Sequence, residues 1–228
     1  MRIRTAGFCD RYLWLILIFL GSISNAAAQE TYSWNAVFAD YSIDSVQRFR
    51  LETHYRTKEI WGGQQQFILR PSYERKVNKY VNLSGGYSFL NTEKQSVFLA
   101  EHNIWQQVFY LLPIKKSKLF GWLRVEERWI ENTASAFDYG GRIRFRLGWR
   151  TPILKGNKAL EFMSFNEVFM KTKDFFPHQF NQNWTFIGLR AVLTPKATLV
   201  TGYQRIHQAK ASNIIEKNLW SSILFVRF

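Results

Sequence analysis

One cysteine occurs in 228 residues. It is Cys9, ahead of the first apolar stretch. Beyond residue 28 there is none, so a disulfide framework, a cysteine zinc site, a redox pair and a thiol nucleophile are excluded from the body of the chain. Long apolar runs are also missing from the body, and a spanning helix needs about 18–20 such residues. Negative charge is scarce: 17 Asp+Glu stand against 31 Lys+Arg, a net charge of +14. His54, His102, His178 and His207 are scattered, without the spacing of helical metal ligands. No Gly-rich phosphate loop and no Gly-x-Ser-x-Gly elbow occurs. Gly62-Gly63 and Gly85-Gly86 read as turn and bend residues. The chain is therefore expected to carry no metal and no cofactor.

What is present begins with a leader. Arg2, Arg4 and Arg11 make a positive start, "LWLILIFL" (13–20) is an apolar core too short to span, and Ala26-Ala27-Ala28 supplies small residues for cleavage. Residues 1–28 are read as a secretory signal, with the mature chain starting at Gln29. Removing them removes three arginines and Asp10, leaving 28 cations against 16 carboxylates, or +12. Such a surplus can mean nucleic acid. Export points instead to anionic lipopolysaccharide, phospholipid or anionic solutes.

Aromatic residues make up 17% of the chain, with 9 Trp, 10 Tyr and 20 Phe. They are not gathered into helices but laid out by alternation. In "GGRIRFRLGWR" (140–150), Arg142, Arg144 and Arg146 alternate with Ile143, Phe145 and Leu147. In "RFRLETHYR" (48–56), Arg48, Arg50, Glu52, His54 and Arg56 oppose Phe49, Leu51, Thr53 and Tyr55. In "WLRVEERW" (122–129), Arg124, Glu126 and Arg128 oppose Leu123, Val125 and Trp129. Period two over about ten residues means strands with one wet and one dry face. Similar segments lie at 66–74 and 80–91. Those at 98–112, 159–171, 180–194 and 197–208 are strand-like with ambiguous facing, and 33–41 reads as a short first strand.

Short connections near 77–79, 113–118, 152–158 and 195–196 alternate with longer ones near 57–64, 92–97, 132–140, 172–179 and 209–216. That is the layout of an outer-membrane barrel. The fold class expected is all-β: a single antiparallel transmembrane β-barrel of about 10–12 strands over residues 29–228. Eleven segments can be counted where an even number is the rule, so the N-terminal segment is the point of tension. The last strand, "NLWSSILFVRF", puts Trp220, Ser222, Leu224 and Val226 in a row ending at Phe228. Such a row resembles the signal read by the barrel-insertion machinery of the outer membrane, which is thus an expected partner beside lipid and lipopolysaccharide.

In a membrane barrel every backbone group pairs with a neighbouring strand. The apolar rows then face lipid and the guanidinium rows a wet lumen. Arg48, Arg50, Arg124, Glu126, Arg128, Arg142, Arg144, Arg146 and Glu167 are the expected lumen-lining residues. Pairing across 132–140 is expected to place Glu126 near Arg144 and Arg124 near Arg146, leaving other arginines unmatched.

Five motifs in one order, "EHNIWQQ" (101–107), "RVEERW" (124–129), "RIRFRL" (142–147), "FNEVF" (165–169) and "FNQNW" (180–184), resemble an outer-membrane β-barrel family, domain of unknown function 2490. Where that family often has Arg, this chain has Asn103 and Trp184. The resemblance implies a fold and a cell outer-membrane location and carries no activity.

Three functions follow. The first is a non-catalytic barrel, either a narrow anion-preferring channel or a structural wall, since barrels of this size are largely filled by side chains and open porins use about 16–18 strands. The second is a lipid hydrolase or deacylase, because His102 and Glu127 fall on lipid-facing positions roughly opposite each other. No serine joins them there, and the register brings up Tyr87 instead. The third is loop-mediated binding through Phe175, Phe176 and His178, rings that equally suit the lipid interface.

Overall fold

The computed structural model describes residues 31–59, 62–94, 96–154, 157–173, 176–210 and 213–228. The expected signal segment, 1–28, lies outside the described residues. Eleven strands follow one another: β1 (Thr31–Ser42), β2 (Gln47–Thr57), β3 (Gln64–Lys76), β4 (Val81–Lys94), β5 (Val97–Ile114), β6 (Ser117–Glu131), β7 (Phe137–Leu154), β8 (Asn157–Lys173), β9 (Phe176–Val192), β10 (Ala197–Lys210) and β11 (Asn213–Arg227). They form one closed barrel. No helix occurs among the described residues.

The odd count is real, and it resolves the tension at the N-terminal end. Segment 33–41 belongs to the wall and extends to Thr31–Ser42. Ten interfaces are antiparallel hairpins, whereas β1 closes on β11 in parallel, with Ala36 opposite Ile223 and Asp40 opposite Arg227. The barrel is therefore antiparallel except at its seam. An odd number of up-and-down strands must close this way, because the first and last then run in the same direction.

The register fixes the tilt. From Ala36 it runs one way through Ile223, Val200, Arg190 and Glu161 to Pro152. The other way it runs through His54, Ile68, Leu90, Glu101 and Ile130 to Asp138. The two arrivals on β7 differ by 152 − 138 = 14 residues. With a rise of about 3.3 Å per residue and strands about 4.8 Å apart, this stagger tilts the strands by about 40°, within the usual range for barrels.

Connections are shorter than the alternation suggested. The hairpin expected near 92–97 shrinks to the two positions between Lys94 and Val97, and that near 172–179 to two between Lys173 and Phe176. Backbone pairing continues past the point where side-chain alternation stops, so polar tips read as loops are strand. The β8–β9 hairpin keeps pairing through two register shifts, at Phe169/Met170 and at Lys171/Thr172. Tight turns need left-handed residues, and Ser96, Lys115 and Ser135 take φ of 66°, 55° and 57°. In the β1–β2 turn the Asp44 carboxylate accepts from the Val46 and Gln47 amides at 2.7 Å. Those amides hold its pKa below the ordinary 3.8.

The two faces of the wall differ sharply on β6 and β7. Leu123, Phe145 and Leu147 are 46%, 47% and 45% exposed on the outside, while Arg124, Arg144 and Glu126 inside are 5%, 6% and 1% exposed. Apolar residues also pack within the barrel. Phe120, Phe165, Phe186 and Val200 form a buried cluster, joined by Phe109, Leu111, Met163, Ile223 and Phe225. A second cluster of Tyr32, Ile206 and Leu219 is covered by Trp34 and Trp184. Gly86 makes room on the interior face: a Cβ there would stand 2.8 Å from Ser72 Cβ and 2.9 Å from the Trp105 indole.

Candidate functional site

The interior is a cavity of about 650 Å³ whose lining reaches from Lys94, Lys171 and Gln208 toward one end to Asp40, Arg150 and Arg227 toward the other. Of the nine residues expected to face the lumen, Arg48, Arg50, Arg124, Arg128, Arg142, Arg144 and Arg146 line this cavity. Glu126 and Glu167 point inward as well but lie behind the arginines, at 1% and 0% exposure.

Those two carboxylates organise the wall. Arg142 Nε donates to Glu126 Oε2 at 2.6 Å, and Arg144 Nη1 to Glu126 Oε1 at 2.9 Å. Arg144 Nε donates to Glu167 Oε1, and Arg146 Nε to Glu167 Oε2, both at 2.8 Å. Arg142, Glu126, Arg144, Glu167 and Arg146 thus form one alternating ladder across β6, β7 and β8. The register differs from the expected one by two residues: Glu126 lies opposite Arg142, and Arg124 opposite Arg144. The physical reason is the short turn, in which the Asn132 side chain accepts from the Ala134 and Ala136 amides and closes the hairpin around residue 134. Glu126 still reaches Arg144 diagonally, while Arg146 sits opposite Trp122 rather than Arg124.

Further pairs, absent from the expected set, brace the rest of the interior. Arg50 grips Asp40 through Nε at 2.6 Å and Nη2 at 2.9 Å. Arg128 grips Glu101 at 2.7 and 2.9 Å. Arg70 donates to Glu52 at 2.8 Å and to Ser88 at 2.8 Å, and Arg190 to Glu161 at 2.8 Å. Arg124 and Arg56 are less neutralised among the described residues. Arg124 donates to Gln107 at 2.9 Å and stands 4.0 Å from Glu126. Arg56 has no carboxylate within ion-pair distance among the described residues; it donates to Gln66 and stacks 3.8 Å from the Trp34 ring.

Among the described residues twelve arginines and three lysines line the cavity against four carboxylates, Asp40, Glu52, Glu74 and Glu101. Adding the buried Glu126, Glu161 and Glu167 gives fifteen cations against seven carboxylates, a surplus of eight. The interior is narrowed by rings. Trp34 of β1 meets Trp184 of β9 at 5.1 Å although β11 and β10 separate them in the wall, and Trp184 in turn touches Phe169 of β8 at 4.6 Å.

Outside the barrel, His102 and Glu127 are not opposite each other. His102 pairs with Trp129, and Glu127 with Ile104. The His102 ring is hydrogen-bonded to the Tyr87 hydroxyl and packed against Phe89 and Phe137 at 5.5 Å each. Tyr87 and the surrounding rings thus hold that histidine where a catalytic dyad would need a carboxylate. Of the proposed binding loop, Phe175 lies outside the described residues. Phe176 opens β9 at 76% exposure, and His178 Nδ1 lies 3.1 Å from the Lys171 carbonyl. Among the described residues no cluster of His, Cys, Asp or Glu is placed to hold a metal.

A closed, tilted sheet with an apolar outer face and a charged interior defines a porin-like transmembrane β-barrel. The NanC porin has the same kind of fold: at 10% sequence identity it aligns with a TM-score of 0.52, covering 82% of this chain and 93% of that one. The chain belongs to the family described as Protein of unknown function (DUF2490), whose model matches residues 31–217. It is also similar to an uncharacterized protein of Methylorubrum extorquens, 26% identical over 169 residues, which are 72% of this chain and 73% of that protein.

Proposed function

We propose that the chain is a narrow, anion-preferring channel of the outer membrane. The observation that carries this reading is the surplus of eight cations around a cavity whose lining reaches toward both ends. Fixed positive charge in a low-dielectric tube draws anions in and repels cations. The carboxylates that could oppose this are each engaged by at least one arginine. The signal-like leader and the terminal Phe228 row support the location, with lipid, lipopolysaccharide and the insertion machinery as partners. The interior rings and ion-pair ladder support a slow, selective passage rather than a wide aqueous pore. A planar bilayer holding the purified protein under a KCl gradient is expected to give a zero-current potential of the sign set by chloride. A potential of the potassium sign contradicts the reading. Absence of conductance from folded protein leaves a structural wall protein, which the Trp34–Trp184 contact across the interior would favour.

A further inference from the structure

We infer that the lumen binds an amphiphilic monoanion, a carboxylate carried on an apolar chain, with the acid at Arg124, Trp122 and Arg146 and the chain on the interior phenylalanines. This deepens the channel reading and rests on it for the entry of solute. Trp122 lies beside both guanidiniums, 5.8 Å from Arg124 and 3.7 Å from Arg146. Its indole N–H is buried and has no acceptor.

The same shortage runs through the interior. Among the described residues nine buried side-chain polar atoms have no partner; seven are donors, and the Asn103 and Asn181 oxygens are the acceptors. The wall's own groups thus leave donors in excess of acceptors. Of the two guanidiniums beside Trp122, Arg124 is the less neutralised, because its nearest carboxylate contact is 4.0 Å long whereas Arg146 is bound to Glu167.

The apolar half of the site starts immediately beside this head. Arg146 packs 3.6 Å from the Phe165 ring, and Phe165 stacks on Phe186 at 4.9 Å. Phe120, Phe165 and Phe186 all line the cavity while belonging to one buried cluster. A hydrated inorganic anion gains nothing from phenyl walls, and a neutral hydrocarbon gains nothing from the arginines. A molecule with both parts uses both. The volume of about 650 Å³ is in the usual range for small-molecule pockets, which combine apolar walls with a few placed polar groups.

The probe is octanoate, titrated calorimetrically into the full barrel in lipid nanodiscs, with empty nanodiscs subtracted. Saturable octanoate binding is expected, with acetate, octanol and octylammonium each at least about tenfold weaker, equivalent to about 1.4 kcal/mol. Arg124→Gln and Phe165→Ala are each expected to weaken octanoate by a similar factor. Should a variant fail to fold, quenching of the wild-type tryptophans by 8-bromooctanoate, reversed by octanoate and not by acetate, gives the same answer. Octanoate binding no tighter than acetate or octanol overturns the proposal. Chloride selectivity recorded on the same preparation separates the two ideas: selectivity without octanoate binding removes this one alone, and octanoate binding without conductance removes the channel alone.

Discussion

At the scale of single residues, Glu167 decides more than any arginine. It is fully buried and holds both Arg144 and Arg146. Neutralising it leaves Arg146 without its carboxylate and Arg144 with Glu126 alone, and removing one partner of a buried ion pair typically costs about 3–5 kcal/mol. Glu167→Gln is therefore expected to lower the urea midpoint of the detergent-solubilised barrel by a loss of that order and, in the same protein, to raise chloride preference. Unchanged stability would mean that water already screens the ladder. Truncating Glu167 together with Arg144 and Arg146 should be milder, since Glu126 keeps Arg142 and no orphaned charge remains. Neither Glu167 nor Asp40 stands in a polar row: the inward neighbours are Phe165 and Phe169 for the first, and Ala36 and Phe38 for the second. Glu167 is legible through the motif "FNEVF", whereas no motif marks Asp40.

At the scale of strands, period two locates every wall element but tells the faces apart only where one face is charged. On β2, β6 and β7 the arginine rows settle the question. On β8 and β9 the rule inverts: Phe165, Phe169, Trp184 and Phe186 line the interior, while Asn166, Asn183 and Thr185 form an exposed hydrogen-bonded set, with Asn166 Nδ2 donating to Asn183 and to Thr185 at 3.0 Å each. The phenylalanine cluster thus competes with lipid for the aromatic residues, and hydropathy alone cannot say which wins. Register was equally beyond reach, because moving a turn's centre by one residue moves each pair by two positions along the ladder.

The parallel seam is the boldest claim at this scale. Asn35 and Ser222 are register partners across it, and the body of the chain has no cysteine of its own. In Asn35→Cys/Ser222→Cys, mild oxidation is expected to form a disulfide, read as a mobility shift in unheated electrophoresis. Failure to cross-link in folded protein would mean that another strand lies between β1 and β11.

At the scale of the whole molecule, the interior of this barrel is a folded core around a positively charged cavity. Its ion-pair ladder ties neighbouring strands, its tryptophan contact and phenylalanine cluster tie strands that are not neighbours in the wall, and the cations left over give the remaining space its sign. None of that follows unless the apolar rows of β6 and β7 touch hydrocarbon. Nitroxide labels placed one at a time at Leu123, Phe145 and Leu147 in the barrel reconstituted in bilayers test this directly. Each label is expected to collide more with oxygen, which concentrates in lipid, than with a water-soluble nickel chelate. Labels that prefer the nickel chelate, or that meet neither because protein covers them, would contradict it.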